Sequence, residues 1–503
     1  MNSKDETREN IQTGIPVVVV LGHIDHGKSS LLEAIKKDFE ITKKEAGGIT
    51  QHIGTYEVEY EGKKITFIDT PGHEAFSEMR SRGAKVADIA ILVVAADEGV
   101  KPQTKEAIKA IKEANIPMIV ALNKIDKEGA NPQRVKIELQ REGVFVEGLG
   151  GDVPVVETSA KTGQGIEDLL STVVLVWQIS EIKKDIEKPA EGVIIESYLD
   201  TRQGPTATVL LEKGRLKRGD IIKTQTTFAK IKSIRDFQLK EKEEIFPGQA
   251  GVVTGFEEVP EIGERFTLGE SIEKVREELA SKKISPKIPI KKTEKKGEIE
   301  GFLKIILKAD VKGSLEVLEK ILTNLVQDKI GIKILKTGVG EITDSDVRLA
   351  EDEKAVIIGF RVKMNLIAES LAKQKQIKFF IFQVIYDVID KVRKLMAEKK
   401  EKKKVRKDIG QIKTLVIFKT KKRGERNYRQ IVGGRVIKGE IKKANLEIIR
   451  KEKTLPGGKI MEIQEQKRRI EKAKTGQEIG ILYEGKTKIK EGDILIVFEY
   501  AEN

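Results

Sequence analysis

The chain has 503 residues, of which 39% are hydrophobic and 34% charged, and it carries a net charge of +13 without any cysteine. This length exceeds what one hydrophobic core supports, so we expect several domains. The lack of cysteine excludes disulfides and cysteine-ligated metal sites. Because no apolar run approaches the roughly 18 residues of a membrane helix and the N-terminus lacks the apolar core of a secretory signal, we expect a cytoplasmic protein without contact to a membrane.

The charge is distributed unevenly along the chain. Residues 1–182 contain 22 Lys and Arg against 29 Asp and Glu, a net charge of −7, so the remainder carries +20. A basic surface beside an acidic unit is typical of a protein that binds a polyanion, most plainly nucleic acid. A solvated lysine-rich surface, as found in heat-adapted proteins, would have the same composition.

Residues 14–182 alternate strands and helices, after a short polar tail at residues 1–13. Continuous apolar runs predict strands buried on both faces at residues 15–21, 65–68, 89–95, 118–122 and 153–157. Helices are predicted at residues 29–37, 101–114 and 165–177. This order indicates a doubly wound sheet, in which ligands bind beyond the carboxyl ends of the strands.

The rest of the chain divides into smaller predicted units. Short strands and glycine turns at residues 188–270 predict a β-barrel, and a charged helical linker follows at residues 271–299. Residues 300–382 return to strand–helix alternation, which predicts a small α/β/α domain. A basic linker helix at residues 383–407 then leads to a C-terminal β-barrel at residues 408–503.

The two predicted barrels share a short turn sequence. Lys217-Arg218-Gly219-Asp220 and Lys490-Glu491-Gly492-Asp493 each precede an apolar strand. This match favours two barrels of related type. The predicted fold class is therefore multidomain, α/β and β.

The first phosphate-binding candidate lies between the first predicted strand and the first helix. It fits the pattern G-x-x-x-x-G-K-[ST] and consists of Gly22, His23, Ile24, Asp25, His26, Gly27, Lys28 and Ser29. Its glycines let backbone N–H groups face an anion at a helix N-terminus. Lys28 supplies a charge for the β- and γ-phosphates, and Ser29 offers its hydroxyl to Mg²⁺. By itself this pattern also fits an ATPase.

A second motif, Asn123-Lys124-Ile125-Asp126, distinguishes the base. The Asp126 carboxylate can accept hydrogen bonds from N1–H and the exocyclic amine of guanine, and adenine presents neither in that arrangement. The Lys124 stem can cover the face of the base. At the next strand end, Ser159, Ala160 and Lys161 are placed to contact its edge. Together with the phosphate loop, these residues predict a guanine nucleotide site.

The segment Asp-Thr-Pro-Gly-His at residues 69–73 ends another predicted strand. Asp69 can hold Mg²⁺ through water, and Gly72 can bring its backbone N–H close to the γ-phosphate. His73 then lies where an attacking water would approach, which makes it the candidate catalytic residue. A surface histidine without a role is the alternative. Thr50 is a second candidate hydroxyl ligand for Mg²⁺, in a loop that the γ-phosphate would order.

These motifs resemble those of the translational GTPases. The segment Ala-Gly-Gly-Ile-Thr-Gln-His-Ile-Gly at residues 46–54 is similar to the bacterial translation initiation factor 2 family and its archaeal and eukaryotic relative. It differs from the Arg-Gly-Ile-Thr type of elongation factors. Segments 204–210, 307–314 and 338–347 resemble the bacterial form.

The resemblance implies a monomeric GTPase that binds GTP or GDP with Mg²⁺ and uses His73 for hydrolysis. The implied partners are formylmethionyl initiator tRNA, whose acceptor end the last barrel would hold, both ribosomal subunits and other initiation factors. Two other functions stay open. One is delivery of another special aminoacyl-tRNA, and the other is ribosome or RNA binding with GTP as a structural ligand.

The chain departs from this family in the last barrel. Where members usually carry cysteines, it has Val432-Gly433-Gly434-Arg435 and Gly476-Gln477-Glu478-Ile479-Gly480. Arg435 places a long cation where the family has a small pocket residue, so it is a candidate tRNA-binding residue. It could hydrogen-bond the formyl or ester carbonyl, or contact phosphate. An exposed strand arginine without a role is the alternative.

Overall fold

The computed structural model describes residues 14–36, 54–72, 76–282, 301–327, 329–401, 405–423, 427–451, 453–466 and 468–501. The chain divides into two compact units, Met1–Lys394 and Leu395–Asn503. Within the described ranges, no helix has both the length and the apolar character needed to cross a membrane.

The first domain is a six-stranded sheet between two layers of helices. Its strands are β1 (Val17–Gly22), β2 (Gly54–Tyr60), β3 (Lys63–Asp69), β4 (Ile89–Ala95), β5 (Met118–Asn123) and β6 (Val155–Glu157). Its helices are α1 (Lys28–Ile35), α2 (Ser77–Val86), α3 (Pro102–Ala114), α4 (Pro132–Arg141) and α5 (Ile166–Ile179). The strand order is β2-β3-β1-β4-β5-β6, and only β2 pairs antiparallel. The predicted doubly wound fold is confirmed.

The second domain is a closed β-barrel. Its strands are β7 (Glu191–Asp200), β8 (Gly204–Lys213), β9 (Leu216–Lys217), β10 (Ile221–Lys223), β11 (Phe228–Arg235), β12 (Glu241–Lys242), β13 (Glu244–Ile245), β14 (Ala250–Phe256) and β15 (Arg265–Leu268). Six of them follow the order β10-β15-β7-β8-β14-β11, and pairing of β10 with β11 closes the circle. The charged helix α6 (Ile272–Lys282) follows.

The third domain has a four-stranded parallel sheet. Its strands are β16 (Gly301–Ala309), β17 (Ile330–Val339), β18 (Val356–Phe360) and β19 (Phe379–Phe382). Its helices are α7 (Lys312–Asn324), α8 (Asp344–Glu353) and α9 (Leu366–Gln374), and α10 (Ile385–Glu401) follows the last strand. The sheet order is β17-β16-β18-β19, which agrees with the predicted α/β/α domain.

Polar contacts join these three domains. On one side of the barrel, the Thr66 hydroxyl of β3 donates to the Gly248 carbonyl at 2.6 Å. On the other, Glu196 of β7 accepts a hydrogen bond from the Gly313 N–H at the start of α7, at 3.2 Å. An ion pair of 2.6 Å connects Arg82 of α2 to Glu316 of α7. Helix α2, which follows the Asp-Thr-Pro-Gly segment, therefore contacts the third domain directly.

The second compact unit contains another closed barrel. Its strands are β20 (Val405–Arg423), β21 (Asn427–Lys442), β22 (Asn445–Arg450), β23 (Lys453–Glu465), β24 (Arg468–Ile470), β25 (Lys472–Lys474), β26 (Glu478–Gly485) and β27 (Ile494–Ala501). Six strands follow the order β20-β27-β22-β23-β26-β21, and β20 pairs with β21 to close it.

The basic linker helix is shorter than the sequence predicts. Helix α10 ends at Glu401, and β20 begins at Val405, where its backbone pairs with Ala501 of β27. Residues 405–407 therefore belong to a strand. A lysine-rich segment has no periodicity that marks the change, and pairing with a distant strand determines it.

The shared turn has the same geometry in both barrels. The Lys217 N–H donates to the Asp220 carboxylate at 2.8 Å, and the Lys490 N–H donates to Asp493 at 2.8 Å. The glycines between them have φ angles of 93° and 85°, in the left-handed region that favours glycine. The two barrels therefore share the hydrogen bond and the backbone conformation of this turn as well as its sequence.

Candidate nucleotide-binding site

The phosphate loop lies where β1 ends, and its two glycines are required by close neighbours. Strand β1 is buried along its whole length, which fixes the start of the loop. A Cβ on Gly22 would lie 2.3 Å from the Val93 carbonyl oxygen of β4, and one on Gly27 would lie 2.4 Å from the Asn123 amide nitrogen. Gly27 also has a φ of 88°. A larger residue at either position would collide with these atoms and displace the loop from the end of the sheet.

The ammonium group of Lys28 lies inside this loop. Its side chain is only 7% exposed and donates to the His23 carbonyl at 2.8 Å. Burial lowers the pKa of Lys28 to about 8, while the nearby Asp69 carboxylate opposes this shift. A Cβ on Gly72 would lie 2.4 Å from the Lys28 Nζ, so the structure brings the phosphate loop and the Asp-Thr-Pro-Gly segment together.

Two of the three predicted Mg²⁺ ligands are adjacent. The Ser29 hydroxyl lies 3.1 Å from an Asp69 carboxylate oxygen, and oxygen donors of this kind are the ligands that Mg²⁺ prefers. Thr50, the third candidate, and His73, the candidate catalytic residue, lie outside the described residues. Within the described part of the chain, no group of three or more His, Cys, Asp or Glu side chains could hold a metal ion by itself.

The predicted base-binding residues meet at the ends of β5 and β6. The Ser159 hydroxyl donates to the Asp126 carboxylate at 2.6 Å, and this hydrogen bond lowers the pKa of Asp126. The carboxylate is therefore ionised and exposed, with one oxygen held by Ser159. Lys124 adopts a φ of 64°, and its ammonium lies 3.4 Å from Glu98. Lys161 is exposed beside this group.

Asn123 connects the phosphate loop to the base-binding loop. Its side chain is buried, with its amide nitrogen donating to the His26 carbonyl at 3.0 Å. Its amide oxygen accepts the Ala160 N–H at 3.1 Å. Ala160 therefore uses its N–H for this internal contact, and the asparagine holds the two loops at a fixed separation.

Two histidines of the phosphate loop pack against each other. The rings of His23 and His26 lie 5.0 Å apart in an edge-to-face arrangement. Burial lowers the pKa of His26 to about 3, with a further contribution from the charge of His23. His26 is therefore neutral at physiological pH. The pKa of His23 is also lowered, first by partial burial and then by Lys28.

Sequence motifs did not reveal Arg80 and Gln103. Arg80 of α2 is 1% exposed and donates to the carbonyl oxygens of Pro71 and Gly72 at 3.2 and 3.1 Å. Gln103 of α3 accepts the Ile24 N–H of the phosphate loop at 2.9 Å. Both side chains lie on neighbouring helices and hydrogen-bond to the backbone of these loops. No local spacing in the sequence indicates such contacts.

Arg435 lies in the other unit, on β21 of the C-terminal barrel. Its guanidinium pairs with the Glu478 carboxylate of β26 at 2.6 Å, and both side chains are more than half exposed. The neighbouring Gly434 pairs with Ile479 and faces the barrel interior. Arg435 itself points outward, next to the segments in which this chain departs from the resembled family.

Four family descriptions match successive parts of the chain. Residues 13–178 match the Elongation factor Tu GTP binding domain, and residues 189–269 match Elongation factor G domain 2. Residues 276–393 match Translation-initiation factor 2, and residues 416–496 match Elongation factor Tu domain 4.

Several curated proteins are similar to the chain over almost all of its length. The Translation initiation factor IF-2 of Rubrobacter xylanophilus is 38% identical over 99% of this chain and 73% of its own length. That of Thermodesulfovibrio yellowstonii is 42% identical over 98% of this chain. This chain covers 66% of the latter, so it spans about two thirds of the length of such relatives. The crystal structure of GDP-bound aIF5B from Aeropyrum pernix aligns with 96% of this chain and 92% of its own, at 27% identity and a TM-score of 0.44.

The buried neutral His26 predicts a specific acid sensitivity. Its pKa is about 3 in the folded protein and near 6.5 when unfolded. The stability that comes from this difference is complete above pH 6.5 and is lost as the pH falls toward 3. Between pH 7 and pH 5, wild-type protein should lose about 2 kcal/mol of unfolding free energy relative to His26→Asn.

Urea unfolding without nucleotide, followed by tryptophan fluorescence, measures this difference. The single tryptophan, Trp177, lies in the core of the first domain and reports on its unfolding. His23→Asn is the control, and because His23 is partly exposed it should change the pH dependence less. A difference between wild type and His26→Asn that stays constant from pH 7 to pH 5 would contradict the prediction.

Proposed function

Since this chain belongs to the translation initiation factor 2 family, we propose that it is a translation initiation GTPase. In this role it binds initiator formylmethionyl-tRNA, places it on the small ribosomal subunit and promotes subunit joining coupled to GTP hydrolysis. It acts in the cytoplasm as a monomer, together with the other initiation factors. The observation that carries the proposal is the Asn123 side chain, which fixes a phosphate-binding loop and a base-binding loop in one site.

The nucleotide site is proposed to take GTP or GDP. Backbone N–H groups of the loop from Gly22 to Ser29 and the Lys28 ammonium would surround the phosphates. Ser29 and Asp69, together with Thr50, would hold Mg²⁺, which supplies positive charge to the phosphate oxygens when bound. Gly72 would donate its N–H to the γ-phosphate, and His73 would orient the attacking water.

Recognition of guanine is assigned to Asp126. One carboxylate oxygen is held by Ser159, so the side chain is already oriented before a base arrives. An ionised carboxylate accepts two hydrogen bonds from guanine and would be left unpaired by adenine, which costs several kcal/mol of affinity. ATP should therefore compete poorly for this site.

Substitution of Asp126 tests the base assignment. Asp126→Asn should lower GTP affinity by at least ~100-fold and favour a xanthine nucleotide, whose C2 carbonyl can accept a hydrogen bond from the new amide. Competition titrations with GTP, XTP and ATP in Mg²⁺ measure the three affinities. Asp168→Asn, at an exposed position of α5, is the matched control and should change none of them. Equal affinity of the wild type for ATP and GTP would refute guanine recognition.

Hydrolysis is assigned to His73, which leads to a separate prediction. His73→Ala should bind GTP within a few-fold of wild type, because affinity comes from phosphate and base contacts. Its ribosome-stimulated turnover should fall by at least ~100-fold. Phosphate release, measured with and without ribosomes, separates the two effects. Unchanged turnover would remove His73 from this role, and a wild type without ribosome-stimulated hydrolysis would favour a structural use of GTP.

The outer face of the C-terminal barrel is proposed to hold the aminoacylated end of the tRNA. Gly433 of β21 pairs directly with Gly480 of β26, which leaves a stretch of this face without side chains. The 67% exposed Phe418 lies beside it, because a Cβ on Gly433 would be 2.8 Å from the Phe418 ring. Ile431, also exposed, extends this apolar surface.

Cations lie on the same strands as that apolar surface. The exposed residues on the paired outward rows of β20 and β21 include Lys413, Lys419, Arg429 and Arg435. Residues 408–503 contain 23 Lys and Arg against 14 Asp and Glu, a net charge of +9. Apolar contact for a methionyl group and positive charge for phosphates are therefore available on the same face.

Arg435 distinguishes amino-acid recognition from phosphate contact. If it contacts the formyl or ester carbonyl, Arg435→Ala should weaken formylmethionyl-tRNA binding by ~10-fold and uncharged tRNA binding much less. Arg429→Ala, on the same face of β21, is the matched control and should weaken both tRNAs equally, with a salt dependence typical of phosphate contacts. Equal losses in Arg435→Ala would make it a phosphate contact, and no loss would leave it without a role.

A further inference from the structure

Arg80 is a buried arginine that the nucleotide motifs do not include. It lies on α2, directly after the segment that contains Gly72, and its side chain is 1% exposed. A guanidinium stays charged in proteins, so burial requires acceptors around it. Arg80 has two carbonyl acceptors, Pro71 and Gly72, and pairs with the Glu106 carboxylate of α3 at 2.5 Å.

The contact with the Pro71 carbonyl determines the direction of one backbone N–H group. A trans peptide bond is planar, with its C=O and N–H pointing in opposite directions. By holding the Pro71 carbonyl, Arg80 therefore fixes the direction of the Gly72 N–H. The Cα of Gly72 faces the phosphate loop, since a Cβ there would lie 2.4 Å from the Lys28 Nζ and 3.1 Å from the Ile24 nitrogen.

Helix α3 supports both phosphate-contacting segments from its first two turns. Gln103 holds the Ile24 N–H of the phosphate loop, and Glu106 holds Arg80. The Gln103 and Glu106 side chains are three residues apart, on one face of α3. The phosphate loop and the turn at Gly72 are thus positioned from one helix, although they follow different strands.

We propose that Arg80 and Glu106 are positioning residues that hold the Gly72 N–H ready for the γ-phosphate and so favour GTP over GDP. This inference rests on the proposed function, because it requires that the site binds a guanine nucleotide. GDP has no γ-phosphate at Gly72 and gains nothing from the orientation of this peptide. Loss of this pair should therefore lower the affinity for GTP but not for GDP. A general loss of loop stability would instead lower the affinity for both nucleotides.

Two substitutions test the proposal. Arg80→Lys keeps the charge but replaces the planar fork with a point donor that cannot reach two carbonyls and a carboxylate in the same geometry. It should weaken binding of a non-hydrolysable GTP analogue by ~10-fold and GDP binding by less than ~2-fold. Glu106→Gln removes the carboxylate charge at a side chain that is 41% exposed, and should give the same pattern at ~3-fold.

Arg82→Lys is the matched control for these measurements. Arg82 is on the same helix, but its guanidinium pairs with Glu316 of the third domain. It should change neither affinity. Titration calorimetry of the full chain in Mg²⁺ gives both affinities, and ribosome-stimulated turnover should fall in Arg80→Lys. If Arg80→Lys does not fold, the nucleotide affinities of Glu106→Gln test the proposal.

The outcomes separate this inference from the proposed function. Equal losses for GTP analogue and GDP would overturn it and leave Arg80 a structural residue. Unchanged affinities in both variants, with a wild type that binds GTP normally, would also overturn it while the proposed function stands. A wild type that binds neither nucleotide would overturn both.

Discussion

The proposed nucleotide site depends on one buried amide, that of Asn123, which is 2% exposed at the end of β5. An amide is both a donor and an acceptor, and here each half serves a different loop. Its nitrogen holds the His26 carbonyl and its oxygen holds the Ala160 N–H. An aspartate of the same shape would place a second acceptor against the His26 carbonyl. The length of the Asn123 side chain thus determines the distance between the proposed phosphate and base subsites.

The sheet makes this arrangement possible because its central strands are buried along their whole length. Strands β1 and β4 are buried at every position, so Gly22 and Val93 approach closely at the sheet edge. The ends of four parallel strands, β1, β3, β5 and β6, then bring segments from distant parts of the chain together. Helix α3 adds a second support through Gln103 and Glu106. The loops are therefore oriented mainly by contacts with the strands and with α3.

The sequence predicts those parts of the fold in which a local pattern has a single explanation. Five apolar runs are too short for buried helices and are found as β1, β3, β4, β5 and β6. The edge strand β2 is not predicted, although Tyr56, Val58 and Tyr60 alternate with glutamates in a pattern typical of a half-buried strand. The linker helix is predicted too long, since its end depends on pairing of β20 with β27. Motifs mark the residues that would contact the nucleotide, but not Arg80, whose role depends on carbonyls in another segment.

The two proposed phosphate-binding surfaces differ in their physical environment. Lys28 is almost entirely buried, so its interaction with phosphate would be strengthened by low polarity and little screened by salt. The cations of β20 and β21 are exposed, where charges are screened within roughly 8 Å at physiological ionic strength. Binding of RNA to the latter surface would release counterions, so its affinity would fall as the salt concentration rises. A GTPase with this division can keep its nucleotide through conditions that detach its RNA, because the two affinities respond to different forces.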